Sequence, residues 1–322
     1  MKIVFRLVLL GLSLGISAAS SFAQDFPSKP LRLVVGYSPG GATDLISRAV
    51  AQRLSEVLGK PVVIDNVPGA AGTLAASRVV KAPADGYTLL MITSSDPIQK
   101  ALKPSLPYKL ETDLTPISLV AIGTYILSVH PSVNANSIAE LIALARANPG
   151  KLTYGSPGIG SGQHLAGELF KSMAKVDMLH VPYKGGGDNA IAVASGHIDV
   201  TFGALPPTLP LIKAGKLKAL AVTSLKRASA IATVPTLNEA GLTGYDRSGW
   251  FALTAPAGLS AELSGKLSEA VAKTLSSSEI KDALAVQGLE PQPSTPQQLL
   301  AFIQREVAQS INLVELAGLK NN

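Results

Sequence analysis

From Leu31 to Tyr37 the chain is an apolar run suited to a strand buried on both faces. A Pro39-Gly40-Gly41 turn follows, and then Leu45, Ala49, Val50, Leu54, Val57 and Leu58 recur at helical spacing until Gly59. The pattern continues with a strand over Pro61 to Val67, a helix over Gly72 to Lys81, a turn at Ala82 to Gly86 and a strand over Tyr87 to Thr93. Strands alternating with crossover helices predict an α/β fold built on a parallel sheet.

A strand over Ala121 to His130 then leads to a helix over Ile138 to Ala147, with Ser137 as its cap and Pro149-Gly150 as its stop. A second lobe begins in this neighbourhood, because what remains after the first 23 residues is too long for one small core. Within it the pattern predicts strands over Lys151 to Gly155, Asp177 to Pro182, Ile198 to Phe202 and Lys218 to Thr223, with helices over Gln163 to Ala174 and Asn189 to Ser195. From about Ala228 the chain reads as loop, then as helices over Ala261 to Leu275 and Pro296 to Leu316, with Gly318 just past the end.

The amino end changes the setting. Lys2 and Arg6 precede an apolar run from Leu7 to Ile16, and small residues lead to Ser21-Phe22-Ala23. The run is shorter than the roughly 20 residues that span a bilayer, so residues 1–23 read as a signal peptide cleaved before Gln24, and a retained anchor would need a longer apolar core. No cysteine is present, which excludes disulfides, thiolate metal sites and the lipid-bearing cysteine of a lipoprotein. A soluble periplasmic product, not a lipoprotein, is expected.

Net charge is +6, of which Lys2 and Arg6 contribute two, and the remaining basic residues are scattered. With 5% aromatic residues and no basic cluster, neither nucleic acid nor an anionic membrane is the expected partner. His130, His164, His180 and His197 show no paired helical spacing, so no metal site and no cofactor are expected.

Enzyme signatures are poor. Gly158-Ile159-Gly160-Ser161-Gly162 is neither a nucleophile elbow nor a dinucleotide fingerprint, and Lys184-Gly185-Gly186-Gly187 is not a phosphate loop. Ser161 and His164 are the one pair a secreted hydrolase would use, although helix capping explains them without catalysis. The glycine-rich segments Ser38 to Asp44 and Ser156 to Gly162 instead offer exposed backbone N–H groups where a helix begins after a strand. Open α/β sheets place ligands there, and helix amino termini favour an anion such as a carboxylate.

Several runs also resemble a known family. Pro27 to Val35, Pro39 to Asp44, Asn66-Val67-Pro68-Gly69-Ala70-Ala71-Gly72, Asp85 to Leu90, His164 to Phe170 and His180-Val181-Pro182-Tyr183-Lys184-Gly185 are similar to the Bug proteins, periplasmic receptors of tripartite tricarboxylate transporters. The resemblance continues through Val234-Pro235-Thr236, Glu239-Ala240-Gly241 and Trp250-Phe251 to Pro256-Ala257-Gly258. It implies a two-lobed, type II-like periplasmic binding protein, with lobe 1 formed by 24–122 and 225–322 and lobe 2 by 123–224. It implies a ligand carboxylate held by Pro39, Gly40, Gly41, Ala42 and Thr43, with Ser94 and Ser95 lining the same side. Ser156, Gly160, Ser161, His164, Tyr183 and Gly185 are implied on the facing lobe. Where many members carry an acidic residue after the Phe matching Phe202, this chain has Gly203-Ala204, which puts an amino-acid ligand there in doubt and makes Ala204 a lining position. The resulting expectation is a monomeric receptor that performs no chemistry, closes on a small carboxylate and presents it to integral-membrane permease subunits. A secreted hydrolase and a periplasmic sensor for a signalling partner remain the alternatives.

Overall fold

The computed structural model describes residues 26–319, so the amino-terminal segment read as a signal peptide lies outside the described residues. Strands β1 (Leu31–Val35), β2 (Val62–Asn66) and β3 (Thr88–Thr93) pair in parallel with β1 in the middle, and helices α1 (Ala42–Leu58) and α2 (Thr73–Val79) make the crossovers. All six residues of β3 are buried, as the uninterrupted apolar pattern requires of a strand covered on both faces. Helix α1 stops where Gly59 takes the left-handed conformation, the expected reason for glycine at that position.

After α3 (Ser95–Leu102) comes β4 (Leu114–Val129), a 16-residue strand that begins well before the Ala121 read from sequence. The chain continues through α4 (Ile138–Ala147), β5 (Thr153–Ser156), α5 (Gly162–Ala174), β6 (Leu179–Pro182), α6 (Gly186–Ala194), β7 (Val200–Ala204), α7 (Leu205–Lys213) and β8 (Lys218–Val222). Ser137 caps α4 by accepting the Glu140 N–H. β9 (Ser248–Pro256), α8 (Ala261–Ser276), α9 (Ser278–Ala285), β10 (Leu289–Pro291) and α10 (Pro296–Leu316) complete the chain, and Thr295 with Gln298 forms a reciprocal capping box on α10.

The strands form one curled mixed sheet in the order β2-β1-β3-β9-β4-β7-β5-β6, with β8 and β10 also paired to β4. The outer strands pair in parallel, whereas β4 and β9 run antiparallel to their neighbours. The first part of β4, Leu114 to Thr124, pairs with β9, and its last residues, Tyr125 to Val129, pair with β7. The sequence reading held no strand over 248–256, yet β9 is buried along nearly its whole length between β3 and β4. Helices α3, α7 and α9 were likewise absent from that reading.

Leu253 has no exposed surface and lies in register with Met91 of β3 and Ser118 of β4. Leu253→Ala should cost about 2–5 kcal/mol of unfolding free energy, measured by urea denaturation. A loss below about 1 kcal/mol would show that β9 is not part of the core.

Candidate functional site

Four helices begin around one cleft. The first residues of α1 (Gly41, Ala42, Thr43), the cap of α3 (Ser94), Gln163 in the first turn of α5 and Gly186 at the start of α6 all line it. Tyr37, Thr93, Tyr125, Pro157, Trp250 and Phe251 complete a lining that contains no charged side chain and leaves about 20 Å3 of free space between the two sides. The starts of α1 and α6 receive no side-chain cap, so their leading N–H groups are not consumed in the usual way, whereas at α3 the Ser95 N–H is accepted by Thr93 Oγ1 at 3.2 Å. Their partial positive charge makes the cleft a place for an anion.

The loop before α1 is set by one buried carboxylate. Asp44 accepts Gly40 N–H at 3.0 Å, Arg48 Nε at 2.9 Å and Asn66 Nδ2 at 3.0 Å, while Asn66 also donates to Tyr37 O at 3.1 Å. Burial raises the Asp44 pKa, but these hydrogen bonds and the Arg48 charge more than offset that and hold it below the usual value. Gly40 sits at φ +81°, the left-handed conformation that glycine adopts without strain. Gly41 has ordinary φ and is required for a different reason: an added Cβ would lie 3.2 Å from Gly186 N across the cleft.

On the facing side, Ser161 Oγ accepts the His164 backbone N–H and caps α5, as its spacing suggested. The His164 ring does not serve Ser161, because Nδ1 accepts the Gly160 N–H at 3.1 Å. Its ring lies 4.1 Å from that of His180, whose Nε2 is 2.7 Å from Ser156 Oγ. Ser156 in turn accepts Gly158 N–H at 3.2 Å and so shapes the turn that carries Pro157 to the cleft. The two sides meet through Ser38 N–H to Lys184 O at 3.4 Å, Gln99 Nε2 to Ile159 O at 2.6 Å and Gly162 N–H to Ser95 Oγ at 3.2 Å.

Of the positions expected from sequence, Gly41, Ala42, Thr43 and Ser94 line the cleft. Pro39 and Gly40 are exposed on the loop outside it, and Ser95 lies behind the lining in its contact with Gly162. Ser156, Ser161 and His164 are buried supports of the facing loop, Gly160 packs on Gln99 and Gly185 on Ser38, and Tyr183 packs in an apolar cluster with Val193. Ala204 is held in the ladder opposite Tyr125. Lys184 and Asp188 are exposed. The aromatic lining at Tyr37, Tyr125, Trp250 and Phe251 and the organising pair Asp44 and Asn66 were not singled out as site residues by sequence; Asp44, Asn66 and Trp250-Phe251 gave a signal only as parts of runs that resemble the family.

Residues 46–319 match the family model described as tripartite tricarboxylate transporter family receptor. The chain belongs to this family. It is 35% identical to the BugT protein of Bordetella pertussis, over 95% of this chain and 94% of the relative. A protein of R. palustris solved with adipate superposes with a TM-score of 0.87 at 37% identity, covering 91% of this chain and 99% of that one. MatC from Rhodopseudomonas palustris, solved with malate, gives 0.86 at 30% identity over 90% and 100%. The closely matching folds are those of periplasmic binding proteins, receptors and not enzymes. Among the described residues no helix is long and apolar enough to cross a membrane.

The histidine pair gives this receptor a pH signature. Burial lowers His164 to about 4, and burial with the neighbouring His164 charge lowers His180 to about 3. In the unfolded chain both charge near pH 6.5, so folding stability is lost as pH falls below that value. Asp96 acts in the opposite sense: burial raises it to about 7, so in the folded protein it takes up its proton first and partly offsets the loss. The thermal midpoint should therefore fall between pH 6.5 and pH 4.5, less steeply in His164→Gln/His180→Gln and more steeply in Asp96→Asn. An unchanged slope in both variants, followed by scanning calorimetry, would refute the assignment.

Proposed function

We propose that this receptor is exported, soluble and monomeric, closes on a small dicarboxylate in the cleft described above, and hands it unaltered to its membrane permease. The carrying observation is the convergence of four helix starts on a cleft without a charged side chain. Hydrogen bonds to a charged group contribute about 1.5–3 kcal/mol each, so three or four N–H and hydroxyl donors supply the roughly 8 kcal/mol of micromolar affinity without an arginine. Adipate and malate in the related structures are both dicarboxylates, which favours that class here. Gly41, Ala42, Thr43, Ser94 and Gly186 are the proposed anion contacts, and Tyr37, Tyr125, Trp250 and Phe251 enclose the carbon chain.

The two lobes are taken as 24–122 with 225–322, and 123–224. The pairing of β4 changes from β9 to β7 at Thr124 and Tyr125, and Thr223 hydrogen-bonds across to Tyr125 and Arg247 at the second crossing, both of which support these boundaries. A ligand touching both sets of helix starts binds the closed arrangement better and so drives closure. A hydrolase acting through Ser161 and His164 is disfavoured by the hydrogen bonds that commit both groups to the α5 start.

A thermal-shift screen of C4 to C6 dicarboxylates should yield a ligand that calorimetry confirms and chromatography recovers intact. Gly41→Val should weaken that ligand by about tenfold or more with the circular dichroism spectrum unchanged, because the side chain would press on Gly186 where the cleft shuts. Undiminished affinity in the folded variant would exclude the α1 start from the site, and a consumed ligand would make the protein an enzyme.

A further inference from the structure

Asp96 sits in the first turn of α3, is 4% exposed and lies against the cleft wall. Its Oδ2 accepts the Thr93 N–H at 2.7 Å and is 3.5 Å from the Thr93 hydroxyl, and Thr93 and its neighbour Ser94 both line the cleft. Among the described residues no ion pair involves Asp96. The elements packed on α3 explain why. β3 and the turn at Ala70–Gly72 carry no ionisable residue, and α10 carries Arg305, which lies over the Phe302 ring, Glu306, which accepts the Trp250 indole N–H, and Glu315. On α3 itself Lys100 pairs with Glu111. The phenols of Tyr37 and Tyr108, raised by burial and by the Asp96 charge, stay neutral.

A buried carboxylate without a cation relies on hydrogen bonds and on the helix start to remain ionised. That same start faces the cleft, so Asp96 and an anion bound there draw on one source of positive field. Like charges that share a site are relieved when one of them takes a proton. Burial already holds Asp96 up at about 7, whereas a carboxyl group in water ionises near 4, so Asp96 is the one that takes it. We propose, on the cleft reading above, that capture of the anion is coupled to uptake of a proton by Asp96. The proton comes from water and forms an O–H bond on the carboxyl, which then no longer opposes the ligand. Affinity is strongest where Asp96 is already protonated and weakest where it is ionised, so it falls as the pH rises through about 7.

The test is titration calorimetry of the full mature chain with malate and with adipate at about pH 7.5, where both are fully ionised. Run in HEPES and in Tris, whose ionisation enthalpies differ, the observed enthalpies should show uptake of a fraction of a proton per ligand, and Asp96→Asn should abolish it. Between about pH 6 and pH 9 the affinity should weaken by about tenfold, while that of Asp96→Asn stays within about twofold. In the unsubstituted protein the Asp96 carboxyl carbon, followed by nuclear magnetic resonance, should titrate about one pH unit higher with ligand bound, which keeps the test valid if Asp96→Asn fails to fold. Binding without buffer dependence, proton uptake that survives in a folded Asp96→Asn, or a carboxyl signal that titrates alike with and without ligand would each overturn the coupling and leave the cleft reading standing. Absence of binding by both malate and adipate would also overturn the coupling, and absence across the C4 to C6 dicarboxylates would overturn the cleft reading with it.

Discussion

One strand belongs to both halves of the sheet, and the rest of the molecule is arranged around it. β4 pairs with β9 and β10 through its first part and with β7 and β8 through its last. A residue on such a strand cannot change partner without breaking the ladder on both sides, so β4 fixes where the two halves meet. The helices that follow β1 and β3 then start on one side of the cleft and those that follow β5 and β6 on the other. Strand carboxyl ends point their helix starts into the gap, as open α/β sheets do at a crevice.

That placement explains why the proposed site is made of backbone and hydroxyl groups. Helix starts deliver donors and a fixed partial charge without the entropy cost of ordering a long cationic side chain. They also demand close approach, which Gly41 and Gly187 permit and a β-carbon would crowd. The charged residues of the neighbourhood serve the loops: Asp44 with Arg48 and Asn66 shapes the turn before α1, and Lys171 with Glu168 braces α5 below the facing loop. Of the four starts, that of α3 has the least to give, since Asp96 already accepts the Thr93 N–H at 2.7 Å and is itself an acid in that first turn.

The first βαβαβ unit was legible because every signal agreed: strands apolar on both faces, helices with period-matched apolar positions, and glycine at each reversal. β9 was not, because Ser248 to Pro256 follows about twenty irregular residues and its strand character comes from insertion between β3 and β4, which no local pattern reports. α7 was hidden by Pro206, Pro207 and Pro210, which read as helix breakers although the first two occupy the opening turn, where no N–H is needed. In the site the glycine loops were visible because glycine advertises backbone exposure. Tyr37 and Tyr125 were not, because an aromatic residue in a strand or just past its end looks the same whether it faces a core or a cleft.

The contacts between the two sides are few and individually modest. Ser38 N–H reaches Lys184 O at a long 3.4 Å, Gly162 N–H reaches Ser95 Oγ at 3.2 Å, and Ser94 Oγ and Tyr125 OH are 2.8 Å apart. The ion pairs Arg48–Asp44, Lys100–Glu111 and Lys171–Glu168 each join residues of one side. Net hydrogen bonds of this neutral kind contribute about 0.5–1.5 kcal/mol apiece, and closing the hinge restricts backbone freedom against them. On the proposed two-lobe reading, open and closed arrangements would then lie close in free energy, and an anion that completes the hydrogen bonds of several helix starts at once would decide between them. On that reading a cleft lined with ion pairs would close without ligand, whereas helix starts with N–H groups to spare would close on an anion that accepts from several of them.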